Sequence, residues 1–287
     1  MTTLPEHAVR RCYSVVNPIH STVYFSPEIG REFAAAGLDA PAAVYFANRA
    51  APLGRVGAGA VTATFYNFKH DLVALHVPRI WETLSPEEAL GVRLRAVDSL
   101  LRRLLGEDVL GSKELAEAAE LALRAAEACA RPARPLYAAN ADLPVPREPH
   151  LAFWHAATLL REHRGDGHLM ALTTAGLGPL EALVSHTASS QGAAAGWVRS
   201  SRGWSEEEWA AARGRLRDRG LLDDAGGLTA SGEKLRADLE DETDRLDAAP
   251  YEHLGPAGVA RLTELAAGLT AAARAAGAFP AQIFAKR

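Results

Sequence analysis

The densest run of chemically capable side chains is Arg161-Glu162-His163-Arg164-Gly165-Asp166-Gly167-His168. An imidazole beside a carboxylate is oriented and kept basic enough to move protons near neutral pH. On that reading His163 or His168 transfers the proton and Glu162 or Asp166 assists, making His163, His168, Glu162 and Asp166 the catalytic set. Guanidinium groups hold carboxylates through paired N–H donors, so Arg161 would grip an anionic substrate. His155 lies two helical turns before His163 and is placed to join Glu162 on one helix face. The same residues admit a structural reading. Asp166 then caps a helix, His163 and Arg164 sit at a helix end that favours cations, and Gly165 and Gly167 turn the chain. Histidines and carboxylates also suit a metal. The run has no His-Glu-x-x-His and no Cys pair, so no metal and no organic cofactor are expected.

A second polar set lies nearer the amino terminus, in Asn17-Pro18-Ile19-His20-Ser21, in Tyr45-Phe46-Ala47-Asn48-Arg49 and in Phe65-Tyr66-Asn67-Phe68-Lys69-His70. His20, Arg49, Tyr66 and Asn67 stand among apolar residues, where a polar group must be paired or face a cavity. Trp197 to Trp204 adds Arg202 and Trp204, residues suited to lining a pocket. The expected substrate-binding set is therefore Arg161, His155, Arg49, Tyr66, Asn67, His20, Arg202 and Trp204, around a cleft between two lobes. Buried hydrogen bonds between the halves are the other reading. Gly54 to Gly59 has spaced glycines without a preceding strand, and no phosphate loop or Gly-x-Ser-x-Gly elbow occurs.

These residues need a scaffold, and helices dominate it. Ser26-Pro27-Glu28, Ser85-Pro86-Glu87-Glu88 and Ser205-Glu206-Glu207-Glu208 each place a capping serine before proline or acid. A helix from Leu151 is expected to stop at Gly165, with Asp166 opening the next. Five prolines between Pro132 and Pro149 mark a linker. The expected division is an N-terminal helical lobe over 1–131, the linker over 132–149, a second lobe over 150–250 and a helical tail over 251–287. Order-preserving matches connect the lobes: Ala36-Gly37-Leu38 with Ala175-Gly176-Leu177, and Leu104 to Leu110 with Leu221-Leu222-Asp223-Asp224. An internal duplication would explain them, as would chance in alanine-rich helices.

Composition narrows the classes. Of 287 residues, 48% are hydrophobic and 23% charged, enough to bury a core and too apolar for disorder. A net charge of −4 supplies no global attraction for nucleic acid or anionic lipid. No apolar run approaches the roughly 20 residues of a membrane span, and Met1 to Arg11 lacks a secretory apolar stretch. Only Cys12 and Cys129 are present, so a disulfide framework is excluded and a cytoplasmic setting expected. Heavy Ala, Arg and Gly use fits a high-GC genome.

The segment Arg219 to Arg236 reads as a helix end, a short strand, an Asp/Gly turn, a second strand and a capped helix. Through this wing and its Leu228-Thr229-x-x-Gly232 step, residues 150–247 resemble the MarR/PadR type of winged helix. The whole chain looks like an actinobacterial family known as helix-turn-helix, without an assigned activity. The implied fold is mainly α with a small β wing, in two winged-helix-like lobes. A MarR-like resemblance implies a recognition helix in the major groove, here Ser205 to Arg219. That helix opens on three glutamates, and residues 199–250 carry 9 Lys and Arg against 13 Asp and Glu. Such a surface lacks the cation–phosphate term behind DNA affinity. The stretch Gln191 to Trp204 also exceeds the 3–4-residue turn of a helix-turn-helix. The favoured expectation is a small-molecule-binding protein, an enzyme of specialised metabolism working by elimination, cyclisation or hydrolysis, with DNA disfavoured and no membrane partner. The alternative is a dimeric, ligand-responsive regulator, and a third reading is a subunit of a larger assembly.

Overall fold

The computed structural model describes residues 4–189 and 192–280. Residues 1–3, 190 and 281–287, together with Gln191, at the start of the stretch read as an overlong turn, lie outside it. Fifteen α-helices follow in order among the described residues. They are α1 (Ala8–Ser21), α2 (Pro27–Ala35), α3 (Pro41–Ala50), α4 (Ala58–Phe65), α5 (His70–His76), α6 (Ile80–Thr83), α7 (Pro86–Leu110) and α8 (Lys113–Ala126). Then come α9 (Pro135–Ala141), α10 (Pro149–Thr174), α11 (Pro179–Ala188), α12 (Ala195–Ser201), α13 (Glu206–Asp218), α14 (Ala230–Leu246) and α15 (Ala248–Ala275). The mainly α expectation holds. None of these helices is long and apolar enough to cross a membrane. The chain forms two compact units, each discontinuous in sequence.

The first unit comprises Met1–Arg55, Arg79–Gly167 and Asp244–Phe279. Its helices start where the capping signals stand. The Ser26 hydroxyl accepts from Ile29 N, and Ser85 and Glu88 bond each other's backbone reciprocally. α7 buries Ala89, Val92, Ala96, Val97, Leu100 and Leu104 along one stripe, against which α2 and α3 pack. α15 packs on α1 and α8.

α10 departs from the expected break at Gly165. It runs without interruption through Gly165 and Gly167. Two interior glycines cost about 1 kcal/mol each, while burying Phe153, Trp154 and Leu160 contributes about 1.5–3 kcal/mol per side chain. Asp166 therefore opens no helix of its own; its carboxylate instead accepts from Tyr137 N at 3.0 Å, a free N–H in the first turn of α9. Gly167 has a packing reason, since a Cβ there would stand 2.8 Å from the Arg134 guanidinium. Arg134 donates to the carbonyls of His163 and Leu246.

The second unit comprises Val56–Pro78, His168–Thr243 and Pro280–Arg287. α11 packs against α12 and α13, burying Leu180, Leu183, Val184, Val198, Ala212 and Leu216. The stretch read as an overlong turn contains α12, which corrects that reading. Only Arg202-Gly203-Trp204-Ser205 separates α12 from α13, the length of a helix-turn-helix turn. Gly203 takes φ +80°, and a Cβ there would lie 2.8 Å from Leu72 Cβ, so only glycine turns the chain here without strain. Ser205 and Glu208 then cap α13 reciprocally.

The expected β wing is a correction. Leu222 and Leu228 form an isolated antiparallel bridge, and no strand occurs among the described residues. Asp223 N bonds Gly227 O at 2.9 Å and Thr229 N bonds Leu221 O at 3.1 Å, but α13 ends at Asp218 and α14 begins at Ala230, which leaves no length for a longer ladder. A duplication is not shown either. Leu104 to Leu110, matched in sequence to this turn, lies within α7, kinked at Gly106 with φ +77°.

Candidate functional site

α10 places Trp154, Thr158 and Glu162 four residues apart and so on one face. In the first unit this face meets His20 of α1, Tyr24 of the following 3-10 turn, Asn48 and Arg49 of α3, Arg93 of α7 and Asn140 of α9. These side chains surround a cavity of about 10 Å3, room for one water-sized group. The site is cationic. Arg49 grips Glu162 with two donors, Nε to Oε1 at 3.3 Å and Nη2 to Oε2 at 2.9 Å. Arg161 Nε lies 3.9 Å from Glu162 Oε1. Arg93 is buried, donates to the Asn48 carbonyl at 3.3 Å and sits over the Trp154 ring, with no carboxylate partner among the described residues. Arg49 and Arg161 thus share one carboxylate, and Arg93 is a third cation beside them.

Hydrogen bonds fix the protonation of the neutral members. Thr158 donates its hydroxyl hydrogen to Trp154 O at 2.9 Å, so it accepts from His20 Nδ1 at 2.8 Å. His20 Nε2 then accepts from the Tyr24 hydroxyl at 3.1 Å. Burial, reinforced by Arg161, Arg93 and Arg49, holds the His20 pKa well below the usual imidazole range, which agrees with that tautomer. Burial alone would raise the Glu162 carboxyl, but Arg49 and Arg161 outweigh it and keep the group below its ordinary value and ionised. Burial pulls Arg93 down to about 10, with Tyr24 and Glu162 opposing. Neither His20 nor Glu162 is poised to exchange a proton near pH 7.

Three polar atoms lining or flanking this space lack partners: Asn48 Oδ1, Asn140 Oδ1 and Trp154 Nε1. Buried polar atoms are normally satisfied, and each orphan points to a missing group such as a water, ion or ligand.

The other residues singled out in sequence fall elsewhere. His155 is buried, and burial together with Arg93 lowers its pKa to about 4. Arg161 donates to Asn17 and Ser21 and lies over the Tyr24 ring. His163 bonds Asp247 through Nδ1 at 2.6 Å, with both side chains buried, and meets the Tyr137 ring edge-on. Burial raises the Asp166 carboxyl to about 6, eased by the Tyr137 N–H. In the second unit, Thr243 donates to Leu239 O and so accepts from His168 Nδ1 at 2.9 Å. His163 and His168 stand five residues apart on α10 and point about 140° apart around it. Tyr66 donates to Leu177 O at 2.5 Å, and Trp204 Nε1 to Asn67 O at 2.9 Å. Arg202 lies over the Phe68 and Trp197 rings.

So His20, Arg49 and Glu162 come together, with Arg161 beside them. Arg93, Asn140 and Trp154 went unread. Arg93 carried a signal, because it falls four residues after Ala89 and four before Val97 in the buried stripe of α7. Asn140 likewise interrupts the apolar helix Leu136-Tyr137-Ala138-Ala139-Asn140-Ala141.

The helix-turn-helix offers a second candidate surface, and most of its cations are engaged, Arg217 of α13 being exposed. Arg199 pairs with Glu206, Lys69 with Glu208 and Arg215 with Glu181, at 2.6–2.7 Å. Arg213 and Arg219 donate to backbone carbonyls of Ala225, Ala175 and Gly176.

No curated protein and no solved structure matches the chain. A helix-turn-helix family matches residues 9–280, nearly the whole length, and the chain belongs to that family.

Proposed function

We propose that this helix-turn-helix protein binds a small anionic molecule in the cavity of its first unit. The observation that carries this reading is the shortage of counter-charge around Arg93: a buried guanidinium without a carboxylate, in a cavity lined by unpartnered polar atoms. An uncompensated buried charge is costly unless something supplies the opposite sign. An enzymatic role through His163, His168, Glu162 and Asp166 receives less support, because His163 is committed to Asp247 and Asp166 to Tyr137.

Isothermal calorimetry of the full chain with small carboxylates, at fixed ionic strength, tests the reading. Saturable one-to-one binding that disappears in Arg93→Met is expected. Binding of equal strength in wild type and variant would overturn it.

A MarR-like, ligand-responsive regulator is the second reading. The four-residue turn and the family favour it; the acidic first turn of α13 and its paired cations oppose it. A mobility shift against the upstream DNA of its own gene, run at two salt concentrations, separates the readings.

A further inference from the structure

We infer that the second unit carries a docking groove beside its helix-turn-helix, and that the occupant is the chain's own segment Ala281-Gln282-Ile283-Phe284-Ala285-Lys286-Arg287. The groove shares no residue with the cavity of the first unit. It lies between the start of α11 and one face of α13, where Glu208, Ala211 and Arg215 recur at helical spacing. Its volume is about 280 Å3, and Pro179, Leu180, Ala211 and Trp204 make the lining mostly apolar. The polar groups around it are already satisfied. Trp204 Nε1 donates to Asn67 O at 2.9 Å, and Glu181 accepts from Gly178 N at 2.8 Å and from Arg215 Nε at 2.6 Å. The groove therefore offers apolar surface, which suits aliphatic or aromatic side chains. Small-molecule sites run from about 300 to 1,000 Å3, so this space is sized for one or two side chains of a peptide.

Charge selects among apolar occupants. Glu208 of the lining is joined by Glu206 and Glu207 on the first turn of α13 and, through Lys69, by Asp71. Arg199 pairs with Glu206 at 2.7 Å, and Lys69 is shared between Glu208 at 2.7 Å and Asp71 at 3.6 Å. Glu207 is exposed and has no cationic partner among the described residues. An occupant that joins an apolar anchor to a basic end fits both the groove and this rim. Of the stretches outside the described residues, Met1-Thr2-Thr3 and Ser190-Gln191 carry neither an aromatic ring nor a cation, whereas 281–287 places Ile283-Phe284 just ahead of Lys286-Arg287. The second unit takes up the chain again at Pro280, directly before this segment. Extended, its seven residues span about 23–25 Å, and the 13 residues of α13 rise about 20 Å, so the segment is long enough to follow the groove along the helix. Phe284 then fills the groove beside Trp204 and Leu180, and Lys286 and Arg287 meet Glu207 and Glu208.

Two experiments on the full chain provide the test. In the first, a synthetic peptide of residues 281–287 is titrated by calorimetry into wild type, Phe284→Ser and the double variant Phe284→Ser/Ala211→Trp. Phe284→Ser removes the internal anchor, and Ala211→Trp fills the groove from an exposed position on α13. A tethered segment competes at an effective concentration in the millimolar range, so the peptide should bind Phe284→Ser about tenfold more tightly than wild type. The double variant should bind it at least about tenfold more weakly than Phe284→Ser. Equal affinity in wild type and Phe284→Ser, equal affinity with and without Ala211→Trp, or no binding overturns the inference. In the second, Cys129→Ser/Ala211→Cys/Ala285→Cys is treated with a mild oxidant, Cys12 being buried. A disulfide within one chain is expected, since docking brings the two new thiols into bonding range. A disulfide-linked dimer assigns the groove to a second copy, and two free thiols leave the segment elsewhere; either result overturns the inference. The disulfide decides the matter even where Ala211→Trp fails to fold, as judged by circular dichroism.

Discussion

At the scale of single residues, burial sets the chemistry more than sequence neighbours do. Arg161 to His168 looks like one cluster in the sequence, yet helical rotation distributes it among different partners: Glu162 to Arg49, His163 to Asp247, Asp166 to Tyr137 and His168 to Thr243. Two predictions belong here. Arg93→Met removes a buried cation that lacks a counter-ion and keeps most of its volume, so the ligand-free protein should gain about 1–2 kcal/mol on urea unfolding. A loss of that size would mean that Arg93 already has its partner. Asp166 gives a pH signature. Its folded pKa is raised to about 6 from the ordinary 3.8. The folded state therefore takes up the proton more readily than the unfolded chain, and the favourable contribution is complete below pH 3.8 and lost as pH rises through 6. Relative to wild type, Asp166→Asn should gain about 2 kcal/mol between pH 4 and 7, the larger part above pH 5. Parallel stability curves for the two proteins would contradict this.

Among the elements, caps were legible and interruptions were not. Ser26, Ser85 and Ser205 all cap helices, because hydroxyl, proline and acid at fixed offsets act locally. Gly165 and Gly167 carry the local signal of a break, but α10 is buried on both sides of them and packing overrides propensity. α12 was hidden for the opposite reason. Its sequence, Ala195-Gly196-Trp197-Val198-Arg199-Ser200-Ser201, has weak propensity and no cap, and packing on α11 makes it helical. A third of the cavity lining was visible: His20 and Arg49 as polar residues in apolar surroundings, and Glu162 in the polar run before His168. Arg93 and Asn140 were missed because only their place in a buried stripe marks them. The turn between α12 and α13 supplies the prediction at this scale. Gly203→Ala forces an L-residue to φ +80° and pushes a methyl group onto Leu72. It should cost about 1–3 kcal/mol and speed amide exchange in α12 and α13. Unchanged exchange there would show that the turn tolerates a side chain.

Over the molecule as a whole, charge separates two uses of one architecture. The family is helix-turn-helix, but the net charge is −4 and most of the cations near α13 are spent on glutamates and carbonyls. Non-specific duplex binding should therefore be weaker than about 100 μM at 150 mM salt, beyond the usual range for charge-driven binders. A retained gel shift at that salt would favour the regulator over the anion-binding reading. Positive charge is instead concentrated inside the first unit, where Arg49, Arg93 and Arg161 face one carboxylate. Thermal unfolding shows whether that imbalance draws an anion into the first unit. With glycolate raised at constant ionic strength, the Tm of wild type should climb with the logarithm of ligand concentration, as binding to the folded state requires. The Tm of Arg93→Met should stay flat. Coincident curves for the two proteins, flat or rising, would contradict the account.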